Sequence, residues 1–262
     1  MRYASLLFAA ILCHAQAVYP QSGFEVATIK PVDTTKGVVG AGVRVYPGGR
    51  VFLHALPLKA LIMVAYDAGY WQLSGGEDWM EKESYDIEAK PPAQSGPYSL
   101  RHTMVGIGDE RLRGMLQTLL SERFGLKVHR TTTTGPVYLL ERGSKAFLPV
   151  PTKYTEDQPV NDAPGYSGEI EHVGGHWFLF NTSAPQLAKF ASDHVLHKPV
   201  IDHTGIDGSF DYRDPDAKID KDDGDFGESF QVFLRDIGLK IISSSGQELT
   251  FVIEHGEKPS PN

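Results

Sequence analysis

Gly48-Gly49-Arg50-Val51-Phe52-Leu53 and Gly174-Gly175-His176-Trp177-Phe178-Leu179 are the stretches on which the fold reading turns. Each is a paired-glycine turn followed by a strand-like run. Each then leads at the same spacing to a leucine, an alanine and an aspartate: Leu61, Ala65 and Asp67 after the first, Leu187, Ala191 and Asp193 after the second, a constant offset of 126. Further on, Tyr85-Asp86-Ile87 answers to Phe210-Asp211-Tyr212. Phe124-Gly125-Leu126-Lys127-Val128 answers to Ile237-Gly238-Leu239-Lys240-Ile241, and Tyr138-Leu139-Leu140-Glu141 to Phe251-Val252-Ile253-Glu254, both at an offset of 113. Ordered blocks with stable offsets are the mark of duplication. The expectation is an α+β chain built from two diverged copies of a strand-helix-hairpin-helix-hairpin unit.

Local signals fill in each unit. Pro57 and Thr182-Ser183-Ala184-Pro185 mark helix starts. Leu58, Leu61, Ile62 and Ala65 recur at helical spacing, as do Leu187, Phe190, Ala191 and His194. Strands at 71–74 and 84–89 are expected to form one hairpin, and 200–202 with 209–213 another, turned through Thr204-Gly205-Ile206-Asp207-Gly208. Helices at 111–124 and about 228–237 follow, each stopped by a C-cap glycine, Gly125 or Gly238. Two further hairpins close the units, 126–130 with 137–141 and 239–243 with 249–254. An extra strand at 24–29 precedes the first unit, and 91–108 reads as a loop within it.

The N-terminus has one basic residue, Arg2, an apolar run over 4–13, and Ala15-Gln16-Ala17 before a polar stretch. That is the pattern of a secretory signal peptide, too short to span a bilayer, with cleavage expected after Ala17. The predicted organisation is a signal peptide over 1–17, a first α+β repeat with its extra strand over 18–146, a linker or long loop over 147–173, and a second repeat over 174–262. The protein is therefore expected to be exported, periplasmic or secreted. Its single cysteine, Cys13, lies in the signal, so the mature chain has no thiol for a disulfide, a metal or nucleophilic catalysis. The net charge of −8 argues against nucleic acid and anionic membrane surfaces as partners.

Candidate chemistry is thin. Asp214, Asp216, Asp220, Asp222, Asp223, Asp225 and Glu228 form an acidic loop with calcium-type ligands, but Gly224 sits one place too early for an EF-hand, and a solvated charge run is the default reading. Asp193, His194, His197, Asp202 and His203 are zinc-ligand types broken up by Pro199, and His172 and His176 are separated by Gly174-Gly175. Asp86 and Asp211 could be paired carboxylates. Their duplication favours structural roles, accepting backbone N–H bonds beside a turn. Trp71, Trp79 and Trp177 with Tyr66, Tyr70 and Tyr85 read as core rather than as a sugar-stacking face. Asn181-Thr182-Ser183 has the form of a glycosylation sequon. No nucleophile elbow, His-Glu-x-x-His or phosphate loop occurs. No catalytic, cofactor or metal residue is assigned, and no cofactor is expected.

Phe24-Glu25-Val26-Ala27-Thr28-Ile29-Lys30-Pro31, Gly75-Gly76 with Trp79, Tyr85-Asp86-Ile87-Glu88-Ala89-Lys90, the run from Met115 to Arg130, and Lys198-Pro199-Val200-Ile201-Asp202-His203-Thr204-Gly205-Ile206-Asp207-Gly208 resemble the DUF3738 family. That resemblance implies an uncharacterised, soil-associated exported bacterial protein, chiefly of acidobacteria, with similar domains attached to membrane metallopeptidases of the antibiotic-sensor type; it brings no catalytic residues. Phe52-Leu53-His54-Ala55-Leu56-Pro57-Leu58, with the run from Leu116 to Leu126, is also similar to the short N-terminal domain of secretins and TonB-dependent receptors. The functional expectation is an exported binding or sensing module for an envelope protein or other macromolecule, with no membrane span after signal cleavage. The strand at 249–254 is the expected open edge. A hydrolase with an unrecognised site, or a metal-binding envelope protein, is the alternative.

Overall fold

The computed structural model describes residues 23–33, 35, 37, 40–93, 97–99, 102–103, 106–153, 168–214 and 226–259. The expected signal peptide, residues 154–167 of the linker and residues 215–225 of the acidic loop lie outside them. In the N-terminal half, β1 (Val26–Val32) and β2 (Gly42–Val45) precede β3 (Val51–Pro57), which runs without a break into α1 (Leu58–Tyr66). A 3-10 turn, Tyr70–Gln72, leads to β4 (Leu73–Gly75), the short α2 (Trp79–Lys82) and β5 (Ser84–Lys90). The small β6 (His102–Thr103) and β7 (Gly106–Ile107) pair inside the expected loop, and α3 (Glu110–Arg123) and β8 (Lys127–Arg142) close the half.

After β9 (Val150–Pro151), the C-terminal half consists of β10 (Glu169–Val173), β11 (His176–Ser183), α4 (Ala184–Phe190) with a π-helical continuation Ala191–Leu196, β12 (Val200–Asp202), β13 (Ser209–Arg213), α5 (Phe226–Asp236) and β14 (Leu239–His255). This is an α+β protein with five α-helices and several sheets, none closed into a barrel among the described residues. No described helix is long and apolar enough to cross a membrane.

The strands form a sheet ordered β1-β5-β3-β2, a second ordered β10-β11-β13-β9, and a third ordered β12-β8-β14-β4. Period-2 burial puts Val51, Leu53 and Ala55 of β3 inward, and the helical stripes Leu58, Leu61, Ile62 and Ala65 of α1 and Leu112, Met115, Leu116, Leu119 and Leu120 of α3 meet them in one core. Trp177, Leu179, Leu187, Phe230, Phe233 and Ile237 form the second core. Of the aromatics assigned to the core, Tyr85 and Trp177 are buried. Tyr66, Trp71 and Trp79 are half-buried, and Tyr70 is exposed.

The strand-to-helix junctions share one device. On β3, Leu53 faces Ile87 and Leu56 faces Tyr85; on β11, Leu179 faces Tyr212 and Thr182 faces Phe210. In each bulge one buried residue takes a left-handed backbone, Ala55 at φ 52° and Asn181 at φ 47°. Such a conformation costs about 1 kcal/mol or more in a non-glycine residue and survives only where neighbours hold it. The bulge bends the strand so that it enters its helix directly.

Four expected hairpins are absent. β4 and β5 lie in different sheets, as do β12 and β13. The closing hairpins are instead two uninterrupted strands, β8 and β14, paired antiparallel along their length. Gly135 and Gly246, where a turn would have fallen in each hairpin, face each other across this ladder. Gly246 also has a packing reason, since a Cβ there would lie 3.0 Å from Val137 Cγ2. The threonines and serines between the apolar ends carry extended backbone as well as turn backbone, so the long ladder satisfies their N–H and C=O groups equally well. One end of the ribbon joins the first core through Val128 and Ile253, the other the second through Leu140 and Leu239.

Candidate functional site

The ribbon's outer edges are mostly uncovered. On the side away from β14, β8 meets β12 only at Tyr138, Leu139 and Leu140. There the Tyr138 N–H donates to Pro199 O and the Leu140 carbonyl accepts from the His203 N–H, both at 2.8 Å. Main-chain groups alternate sides along a strand, so the even-numbered residues of β8 turn theirs away from β14. Val128, Arg130, Thr132 and Thr134 therefore aim N–H and C=O at an edge that no described strand occupies, and the last three are exposed. Pro136 falls on the same parity. Its missing N–H costs the ladder nothing, which explains how a proline sits inside a 16-residue strand.

The edge expected at 249–254 is not open. Phe251, Val252 and Ile253 pair with β4 on one side and with β8 on the other. Gln72 Nε2 donates to the Leu249 carbonyl at 2.9 Å. The hairpin partner that sequence reasoning gave this strand is replaced by two others, and its edge is enclosed.

Asp86 and Asp211 do structural work at the bulges. Asp86 Oδ1 accepts the Ala55 N–H at 2.9 Å and lies 2.8 Å from His54 Nδ1; Asp211 Oδ1 accepts the Asn181 N–H at 2.7 Å. Each carboxylate thus satisfies the N–H of the residue in left-handed conformation, the orphan donor that a bulge creates. They stand in different sheets and do not form one acid/base pair.

The sequence family described as "Protein of unknown function (DUF3738)" matches residues 59–255. The chain belongs to the DUF3738 family. No curated protein and no solved structure matches it.

In this DUF3738 chain the segment from Asp193 to His203 is dispersed by its own backbone. Asp193 turns inward, 6% exposed at its side chain, to accept Trp71 Nε1 at 3.1 Å and pair with Lys189 at 3.0 Å. His194 packs its ring on Phe190, His197 ends the π turn in left-handed conformation, and Asp202 accepts the Thr204 N–H at 2.9 Å. His172 stacks on Trp177 at 4.4 Å, while His176 Nδ1 lies 2.8 Å from Asp214 Oδ2. Among the described residues no three His, Cys, Asp or Glu side chains converge as metal ligands. Asn181 of the sequon is only 8% exposed, held in the bulge and closed to a glycosyl transferase while the protein is folded.

Asp193 and Asp202 do share one feature, a cleft of about 320 Å³ between the halves that also takes in Trp71, Gln72, Lys189 and Gln247. Two carboxylates face Lys189, whose Nζ lies 3.0 Å from Asp193 Oδ2 and 3.9 Å from Asp67 Oδ1, although neither oxygen accepts a hydrogen bond. Lys189 Nζ donates to the Asp67 carbonyl at 3.0 Å, and a Cβ on Gly69 would collide with Asp193 Oδ1 at 2.1 Å. The cleft is thus a bonded seam. Lys189 escaped the sequence reading, although its i,i+4 spacing to Asp193 on a helix was the available signal. Thr132 and its neighbours escaped it too, because an edge is defined by what fails to pair.

Proposed function

We propose that this protein is an exported, non-catalytic module built of two diverged α+β copies, which binds an envelope protein by adding one of the partner's extended segments to the open edge of β8. The observation that carries this reading is the row of main-chain groups at Val128, Arg130, Thr132 and Thr134, which pairs with no described strand. An added strand gains main-chain hydrogen bonds at an edge that is already ordered, and specificity comes from alternate side chains. Exposed Lys127 and Arg130 beside that edge favour a segment carrying acidic residues. The duplication is supported by bulges at Ala55 and Asn181, 126 residues apart, and by Asp86 and Asp211 each accepting the bulge residue's N–H. Kinship with the secretin and TonB-receptor modules rests on the run from Phe52 to Leu61 along β3 and α1 and on the run from Leu116 to Leu126.

The test is capture of envelope proteins on immobilised mature protein. Thr132→Pro removes an outward N–H, as Pro136 already does, and is expected to keep the fold while abolishing capture; Thr132→Val keeps it. Equal capture by the proline variant, with an unchanged melting temperature, would refute strand addition.

One observation favours a catalytic alternative. Ser229 Oγ lies 3.4 Å from His172 Nε2 and accepts Trp177 Nε1–H at 2.9 Å. It borders a hollow of about 310 Å³ with Asp214 and Glu228. A serine-reactive phosphonate that labels Ser229 in folded protein, and fails to do so after His172→Gln, would place hydrolysis first.

A further inference from the structure

A second feature is independent of the β8 edge. Between the π turn, α5 and the ribbon lies a cavity of about 360 Å³, walled by Val195, Leu196, Leu234, Leu239, Ile241 and the Tyr138 ring. Leu234 and Leu239 are each 1% exposed, so its floor is core. At the matching place in the N-terminal half two rings meet. There Phe251, 113 residues after Tyr138, is 2% exposed and packs its ring 5.3 Å from that of Tyr66. The residue 126 after Tyr66 is Ser192, too small to fill the gap and turned to donate to the Lys198 carbonyl at 2.8 Å. Tyr138 meets no other ring among the described residues and is only half-buried.

The mouth of the cavity differs in character from its walls. Arg235 borders it, exposed, in a chain whose net charge is −8. Lys240, which alternates with Leu239 and Ile241 along β14, turns its side chain to the other face of the ribbon beside Glu141. The acidic neighbour of Arg235 is held loosely, its Nε 3.8 Å from Asp236. Such a solvent-exposed pair contributes little and exchanges readily for another anion. Gln231, one helical turn from Arg235 on α5, adds an amide to the lining. An apolar cavity within the size range of small-ligand sites, with a guanidinium and an amide from one face of a helix, complements a molecule with an aliphatic body and a single anionic head.

We infer that this cavity binds an alkyl carboxylate, its chain between the π turn and α5 and its carboxylate at Arg235. The experiment is calorimetric titration of the mature protein with decanoate below its micelle concentration, with decanol and decyltrimethylammonium as neutral and cationic counterparts. The expected result is saturable one-to-one binding of decanoate, about tenfold weaker for decanol and absent for the cation. Arg235→Gln, an exposed change that leaves the core intact, should erase the preference for decanoate over decanol. Leu196→Trp should fill the cavity and abolish binding of both. If that variant fails to fold, Val195→Phe serves the same purpose. Equal affinity for all three amphiphiles, binding without saturation, or a carboxylate preference that survives loss of Arg235 would overturn the assignment.

Discussion

The two halves run through the same order of strand, bulge, helix and strand, yet they close behind it differently. In the N-terminal half Gln117 Nε2 of α3 donates to the Ala65 carbonyl of α1 at 2.8 Å, and the Tyr66–Phe251 ring pair seals the space between helix and ribbon. In the C-terminal half the helix beginning at Ala184 widens into a π turn over Ala191–Leu196, and a cavity opens beside Tyr138. The difference lies in side-chain volume at a few positions, Tyr66 and Phe251 against Ser192 and Tyr138, rather than in the element order. In the C-terminal half a space beside Tyr138 is thereby left unfilled.

The sharpest way to break this comparison is to damage one core and watch the other. Phe124, fully buried with its ring edge-on to Tyr85 at 5.2 Å, has Ile237 at the matching place in the second core. Phe124→Ala is expected to cost about 3–5 kcal/mol and Ile237→Ala about 2–5 kcal/mol in urea denaturation. Because the ribbon enters both cores, each variant should shift one common transition. Two separate transitions, only one of them displaced, would mean that the halves fold independently.

Next in size are the bulges. Replacing Asp86 or Asp211 by Ala strands the N–H of a buried residue, Ala55 or Asn181, at about 1–3 kcal/mol each. Asp86 also holds His54, so its loss should be the larger of the two. Equal melting temperatures for wild type and both variants would remove the bulge aspartates from the shared design.

The smallest effect separates the halves by acid. Asp109 caps α3, accepting from the Arg111, Leu112 and Ser99 N–H groups. Burial alone would raise its pKa, but the Arg111 guanidinium and those N–H groups outweigh it and hold the carboxyl below its ordinary 3.8. A carboxyl depressed in the folded state contributes stability above its unfolded pKa and loses it as the pH falls through the folded value. Asp109→Asn keeps a capping oxygen but removes the charge that Arg111 and the helix N-terminus favour, so it should lower stability by about 0.3–1 kcal/mol at neutral pH, and the gap to wild type should close as acid is taken below 3.8. The gap for Ile237→Ala should not change over that range, as measured by denaturation at stepped pH.

Much of this architecture is legible in the amino-acid order. The apolar stripes of α1 and α3 follow from a 3.6-residue period, the helix ends from Gly125 and Gly238, and the structural role of Asp86 and Asp211 from finding the same residue in matching strands. These are local facts, decided by dihedral preference and by which face is apolar, and neighbouring residues suffice to state them. Strand partnership is not local. Gly135-Pro136 and Gly246 look like hairpin turns because a turn and an extended ladder are both open to glycine, and a backbone N–H bonds equally well to the strand beside it in sequence or to one more than a hundred residues away. Only the three-dimensional arrangement, with each ribbon end seated in a different core, selects the long pairing of β8 with β14. That choice encloses the 249–254 edge, leaves the β8 edge open and sets Tyr138 over an unfilled space.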